Sequence, residues 1–314
     1  MSTTPPDDPD PSAVPPGQFP PPPRYPVPPG YQPLTGPPEP PPYAPPPPGY
    51  QGPWTAGARA TFHAGPADPL VSADYNGWWQ RTVALLTAAW RPMALVQLIG
   101  AAPLLVLAVI FGVGFTPAGF ADSWDSDDVA TALAVLLPIV LAAILLSLLV
   151  QLATLDVAVQ HATGRPVSIA AALRTGLRRL PALAGWGLLG GLVVLVGFLL
   201  CVLPAFYVGA ALATLPVIVL VERGAAIGRA FRLFHGDFGS SIARVATLAA
   251  VQIALAVIEG ISGFITALDP TGITGGVTSV ASALVSGVVV APFLLTTYAD
   301  MRARVEPFRT ADLA

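Results

Sequence analysis

Residues 182–221 read ALAGWGLLGGLVVLVGFLLCVLPAFYVGAALATLPVIVLV, forty positions with no charged side chain. A bilayer core takes about 20 apolar residues per crossing. The run therefore has the length of two spans joined by a tight turn. Leu203-Pro204 is the natural place for that turn, because proline starts a helix more readily than it sits inside one. The spans predicted here are 182–203 and 205–221; a single span plus a re-entrant segment is the other way to use the same residues.

Outward from this run the pattern repeats. Residues 93–115, 129–155, 245–268 and 277–299 are each long and apolar enough to cross. The count is six, and the fold class is an all-α integral membrane protein whose membrane domain covers residues 70–310. Bulk composition agrees. Of the 314 residues 54% are apolar and 11% charged, against roughly 25% charged in a soluble domain, and mean hydropathy is +0.66. Too little charge is present to coat a soluble core. A net charge of −3 argues against a nucleic-acid binder, and the single Cys201 excludes both a disulfide framework and a cysteine-built zinc site.

The chain has no lysine; all 15 basic residues are arginine. Between the six spans they fall on one side only. Arg81 and Arg91 precede the first span. Arg165, Arg174, Arg178 and Arg179 separate the second and third, and Arg223, Arg229, Arg232 and Arg244 separate the fourth and fifth. Arg302, Arg304 and Arg309 follow the sixth. The opposite connections carry acids instead: Asp122, Asp125, Asp127 and Asp128 in one, Asp269 in the other. By the positive-inside rule the arginine side is cytoplasmic, which puts both termini in the cytoplasm and the protein in the cell (inner) membrane.

Three arginine-side segments are amphipathic. In 74–90, Tyr75, Trp78, Trp79, Leu86 and Trp90 fall near one face. In 168–180, Ile169, Leu173, Leu177 and Leu180 form a stripe flanked by Arg174 and Arg178. In 225–235, Ile227, Ala230, Phe231 and Phe234 follow helical spacing beside Arg229 and Arg232. Each reads as a helix lying in the membrane interface, and each precedes a pair of spans, so three copies of an interfacial helix plus a transmembrane hairpin are a possible organisation. Arg174, Arg178, Arg229 and Arg232 are the candidates for binding anionic lipid headgroups.

Ahead of the spans, residues 1–65 form a Pro/Gly/Tyr-rich tail. It holds 24 of the 37 prolines within residues 1–53, and Pro28-Pro29-Gly30-Tyr31-Gln32 returns as Pro47-Pro48-Gly49-Tyr50-Gln51. Proline at this density favours polyproline II over a packed core, so the tail is expected to be disordered. Tyr25, Tyr31, Tyr43 and Tyr50 are its candidate contacts to a partner protein; a merely solvated tail is the alternative.

Two stretches resemble a known family. The first runs from Leu215-Pro216-Val217-Ile218-Val219-Leu220-Val221-Glu222-Arg223 through Ala226-Ile227-Gly228-Arg229-Ala230-Phe231-Arg232-Leu233 to Gly236-Asp237-Phe238. The second is Tyr298-Ala299-Asp300-Met301-Arg302-Ala303-Arg304-Val305-Glu306. Together with Trp90-Arg91-Pro92 they resemble the glycerophosphoryl diester phosphodiesterase membrane-domain family of multi-pass bacterial proteins. Phe231 stands where that family often has tryptophan. In fused members, hydrolysis belongs to a separate barrel that binds metal through His, Glu and Asp. His63, His161 and His235 are scattered here, so the resemblance implies a stand-alone membrane domain without its catalyst.

No catalytic constellation, metal site or cofactor is expected from the residues themselves. Glu259 is the main intramembrane polar candidate, because a charge in hydrocarbon is costly unless matched. Gln97, Gln151 and Gln252 are suited to interhelical hydrogen bonds. Glu222 with Arg223, and Asp300 with Arg302, are expected to form salt bridges at the membrane edge. The function predicted is a non-catalytic scaffold or accessory subunit that engages membrane lipids or a partner protein at the cytoplasmic face. A transporter or lipid-handling permease using Glu259 and the glutamines is the alternative.

Overall fold

The computed structural model describes residues 63–65, 68–114, 126–266 and 273–313, all within the compact unit Ala56–Ala314. The predicted disordered tail lies outside the described residues except for 63–65, as do Asp122, Asp125 and Asp269. Among the described residues there are helices and no strands: α1 Tyr75–Gly114, α2 Ser126–Ala162, α3 Ile169–Leu200, α4 Val202–Leu212, α5 Leu215–Val221, α6 Ala226–Gly236, α7 Phe238–Thr266 and α8 Ile273–Ala303, then a 3-10 turn at Thr310–Leu313. Among the described residues six stretches are long and apolar enough to cross a membrane, with α4 and α5 together making one of them. The protein is a multi-pass helical membrane protein.

Two of the expected interfacial helices are not separate. Residues 74–90 and 168–180 run straight on into the spans that follow, as the first parts of α1 and α3, through Pro92 and Pro181. At 1.5 Å per residue α1 is about 60 Å long, roughly twice the hydrocarbon thickness. Its first turns pack on protein instead of lying flat: Leu85, Ala89, Met93 and Val96 face the core at helical spacing, and Trp78 is wholly buried against Phe293 with the Arg244 guanidinium 5.7 Å from its ring. In the first half of α3 the buried positions are Ala172, Gly176 and Leu183, while Leu177 of the expected stripe is 60% exposed. Small residues win because α2 comes close: a side chain at Gly176 would stand 3.2 Å from the carbonyl oxygen of Leu149. Only α6 is a separate amphipathic helix, burying Ala226, Ala230, Leu233 and Phe234. The threefold repeat of interfacial helix plus hairpin is therefore not the organisation of the chain.

The uncharged run folds as α3, α4 and α5. Its turn falls at Cys201, two residues before the expected Leu203-Pro204, and Pro204 sits in the first turn of α4. A second break at Ala213-Thr214 starts α5, with Pro216 in its first turn, where a missing N–H is harmless. The short α5 is buried at Leu215 and from Val217 to Leu220, wedged against α2, α3, α6 and α8.

Caps set the helix starts. Asp74 accepts from the Gly77 amide at 3.0 Å ahead of α1, Ser168 accepts from Ala171 ahead of α3, and Asp237 accepts from the Ser240 amide and hydroxyl ahead of α7. The α2–α3 turn is held by Gln160, which donates to Asp156 at 2.6 Å and accepts from the Ser168 amide at 2.7 Å. Helices α1 and α8 run antiparallel, joined by Thr82 and Thr296 at 2.7 Å. The arginine-bearing end is the tightly packed one, with residues 152–160 of α2 and 291–301 of α8 buried. Towards the other end, Leu133, Leu137, Leu188, Leu199, Phe206 and Phe264 present bare apolar surface, as lipid-facing helices do. Residues after α8 fold back over the arginine-bearing end. The His63 amide donates to Ala303 at 2.8 Å, and the Thr310 amide donates to Asp68 at 2.8 Å.

Candidate functional site

At the arginine-bearing end the two stretches that carry the family resemblance meet each other. Arg229 on α6 donates Nε to Glu222 at 2.7 Å, and through both terminal nitrogens it grips the carboxylate of Glu306. Glu222 also accepts from the Tyr298 hydroxyl at 2.5 Å, and Arg302 donates to Glu306 at 2.6 Å and to Tyr298 at 3.1 Å. A second cluster adjoins it. Asp300, with no exposed surface, is paired with Arg244 at 3.0 Å and Arg304 at 2.8 Å, and Arg304 also reaches Asp237 at 2.6 Å. Bidentate and charge-assisted bonds of this kind are the strong class, and they tie α5, α6, α7 and α8 into one end-piece.

The expected edge salt bridges exist with different partners. Glu222 pairs with Arg229 in place of Arg223, and Asp300 with Arg244 and Arg304 in place of Arg302. Sequence neighbours lose to helical geometry. Asp300 and Arg302, two apart on α8, point to different faces, whereas Asp300 and Arg304 are one turn apart; Glu222 and Arg223 lie past the end of α5, where Glu222 is extended. The electrostatics follow the contacts. The hydrogen bond from Arg229 holds the Glu306 carboxyl below the usual carboxylate range, with Arg302 adding to it against the opposing effect of burial. Burial would lower the Arg229 guanidinium, but its bonds to Glu306 and Glu222 prevail and raise it. Asp237 is likewise lowered: burial opposes, and the Ser240 bonds and Arg304 outweigh it.

Beside this network lies a cleft of about 500 Å³ between α3, α5 and α6. Arg179, Arg223, Arg229 and Arg232 line it against one acid, Glu222, a formal charge of +3. Its apolar wall is Trp186, Ile218 and Val219. With Arg229 committed to two carboxylates, Arg179, Arg223 and Arg232 are the cations that face an incoming anion.

The candidate headgroup ligands thus divide. Arg229 and Arg232 line this cleft, Arg229 chiefly as its structural corner. Arg174 and Arg178 are exposed on α3 outside it. Arg179 and Arg223 were not among the candidates. The signal for Arg179 is helical: Arg179, Ala182 and Trp186 are spaced i, i+3, i+7 and share one face of α3. That face is invisible if the helix is taken to stop at Pro181.

Glu259 stands in the far half of the bundle, exposed on α7. It lines a second cleft, of about 430 Å³, together with Gln97, Gln151 and Gln252. Gln97 donates to Thr154 at 3.0 Å, and Ser286 donates to Gln252 at 3.3 Å. Gly287 makes room for this packing, since a side chain there would collide with the Gln97 amide. Among the described residues no group of three or more His, Cys, Asp and Glu side chains is placed to hold a metal ion.

No family model, curated protein or solved structure matches this chain.

Proposed function

We propose that this protein is a non-catalytic membrane scaffold or accessory subunit that seats an anionic phospholipid at its arginine-bearing end. The observation that carries this reading is the +3 cleft of Arg179, Arg223, Arg229, Arg232 and Glu222 with its apolar wall of Trp186, Ile218 and Val219. A phosphate needs donors and positive charge, and an acyl chain needs apolar surface; the cleft offers both within one volume. Arg174 and Arg178, exposed on α3 nearby in sequence, add to the attraction of an anionic leaflet.

The arginine-bearing end is the cytoplasmic one in this proposal, and the membrane is the cell membrane. The connections at the other end, residues 115–125, Cys201 and 267–272, contain no arginine. The Pro-rich tail then lies in the cytoplasm, where Tyr25, Tyr31, Tyr43 and Tyr50 serve as contacts to a partner protein. Membership of the glycerophosphoryl diester phosphodiesterase membrane-domain family belongs to the same proposal. It is supported by the mutual pairing of the motif residues Glu222, Arg229, Tyr298 and Glu306.

Purification from native membranes with lipid and protein mass spectrometry tests this reading. Anionic phospholipid is expected to be enriched severalfold over the bulk membrane. The enrichment falls to bulk level in the R179Q/R223Q/R232Q variant, which spares Arg229. Deleting residues 1–65 is expected to change the co-purifying proteins and leave the lipid unchanged. Retained lipid that mirrors the bulk membrane, in wild type and variant alike, overturns the proposal.

A further inference from the structure

The far half of the bundle holds a second feature, independent of the basic cleft. Polar side chains are rare in the middle of the spans, and burying an amide in hydrocarbon is unfavourable unless it is bonded. Yet Gln97 from α1, Gln151 from α2 and Gln252 from α7 come from three separate helices and open onto one cleft, shared with Glu259. If their task were only to hold helices together, each would be expected to reach a neighbouring helix directly. Gln97 does so with Thr154, and Gln252 accepts from Ser286, while the Gln151 side chain makes no hydrogen bond among the described residues. The cleft runs from the buried mid-bundle, where Thr154, Leu155, Ala291 and Leu294 line it, to Glu259 on α7.

The charge of the cleft is as one-sided as that of the first. Among the described residues Glu259 is its only ionisable lining residue, and no ion pair joins it to an arginine. An unpaired carboxylate lining the cleft attracts a monocation and repels an anion. The carboxamides lining the same cleft accept hydrogen bonds from N–H groups, and Leu148, Val150 and Leu155 offer an apolar skeleton a wall. A volume of about 430 Å³ lies in the range of small-molecule sites. We propose that this cleft is a binding site for a hydrophobic organic monocation bearing N–H donors, with Glu259 as its counter-charge and Gln151 and Gln252 as its hydrogen-bond acceptors.

The test uses the full-length protein in phosphatidylcholine nanodiscs, with ethidium as the cationic amine and 8-anilinonaphthalene-1-sulfonate as an apolar anion. Fluorescence titration against empty nanodiscs is expected to show saturable ethidium binding, weakened roughly tenfold or more by E259Q, which removes the counter-charge. E259D, which keeps the charge, retains binding within about threefold, and Q151L, which keeps the carboxylate, weakens it by about threefold. The R179Q/R223Q/R232Q variant, altered only in the other cleft, binds ethidium as wild type does. The proposal is overturned by the absence of saturable ethidium binding, by equal binding in E259Q, or by the anion binding as tightly as the cation. Should E259Q fail to fold, an unchanged affinity in Q151L overturns it equally.

Discussion

Replacing Asp300 with alanine is expected to destabilise the protein by about 3–5 kcal/mol, the range for removing one partner of a buried ion pair. Asp300 has no exposed surface and Arg244 is 2% exposed, so the guanidinium left behind cannot recover its hydration. Its remaining direct contacts are the Ser240 carbonyl at 3.0 Å and the face of Trp78, while Asp237 acts on it as a countercharge without bonding it and is already bonded to Arg304. Arg304 keeps Asp237 and therefore suffers less. Thermal unfolding in detergent reads the loss directly. The double variant R244M/D300L is expected to regain most of it, because well-packed apolar residues often replace a buried pair without loss. A D300A variant within about 1 kcal/mol of wild type would show that the pair is solvated in the membrane protein as it exists.

The second large effect is at Arg229. Its side chain is 10% exposed and joins two carboxylates, so R229A removes charge-assisted bonds and leaves Glu222 and Glu306 without their shared cation. A loss of about 2–3 kcal/mol at pH 7 is expected for this partly exposed cluster. The sign of its pH dependence is diagnostic. In wild type the Glu306 carboxyl lies below its ordinary value, so its contribution is full above the unfolded value of about 4.3 and is lost as pH falls through the lower folded value. Wild-type stability therefore holds from pH 7 to about 5 and declines below about 4. In R229A only Arg302 still holds the Glu306 carboxyl down, so the deficit is full at pH 7 and narrows in the acid range, where wild type loses its own Glu306 contribution. Unfolding curves across that range separate the two cases. A deficit that is constant with pH would mean that the arginine contributes packing and not charge.

Much of this was legible in the chain. Span number, the one-sided arginines and the amphipathic α6 follow from hydropathy and 3.6-residue spacing, which need no tertiary information. The continuous α1 and α3 were not, because Pro92 and Pro181 read as helix ends, whereas in packed membrane helices neighbouring chain tolerates the freed carbonyl. The same proline hid the Arg179–Trp186 face. Trp78 read as an interfacial tryptophan because sequence marks a face as apolar without saying what covers it; here Phe293 of α8 does. Pairings such as Glu222 with Tyr298, 76 positions apart, depend on the fold alone. Residue type foretold that Glu222 and Asp300 would be paired, and only the folded arrangement chose their partners. The gathering of Gln97, Gln151 and Gln252 at one cleft belongs to the same class, since hydropathy records each as a lone polar position.

The proposed account turns on the arginine-bearing end facing the cytoplasm. Single cysteines in a C201S background decide that directly: D125C in the acidic connection between α1 and α2, and A311C beyond α8, exposed on the arginine-bearing side. With a membrane-impermeant maleimide on intact cells stripped of any outer barrier, D125C is expected to label at once and A311C only after permeabilisation. Labelling of A311C in intact cells, with D125C protected, would contradict the account.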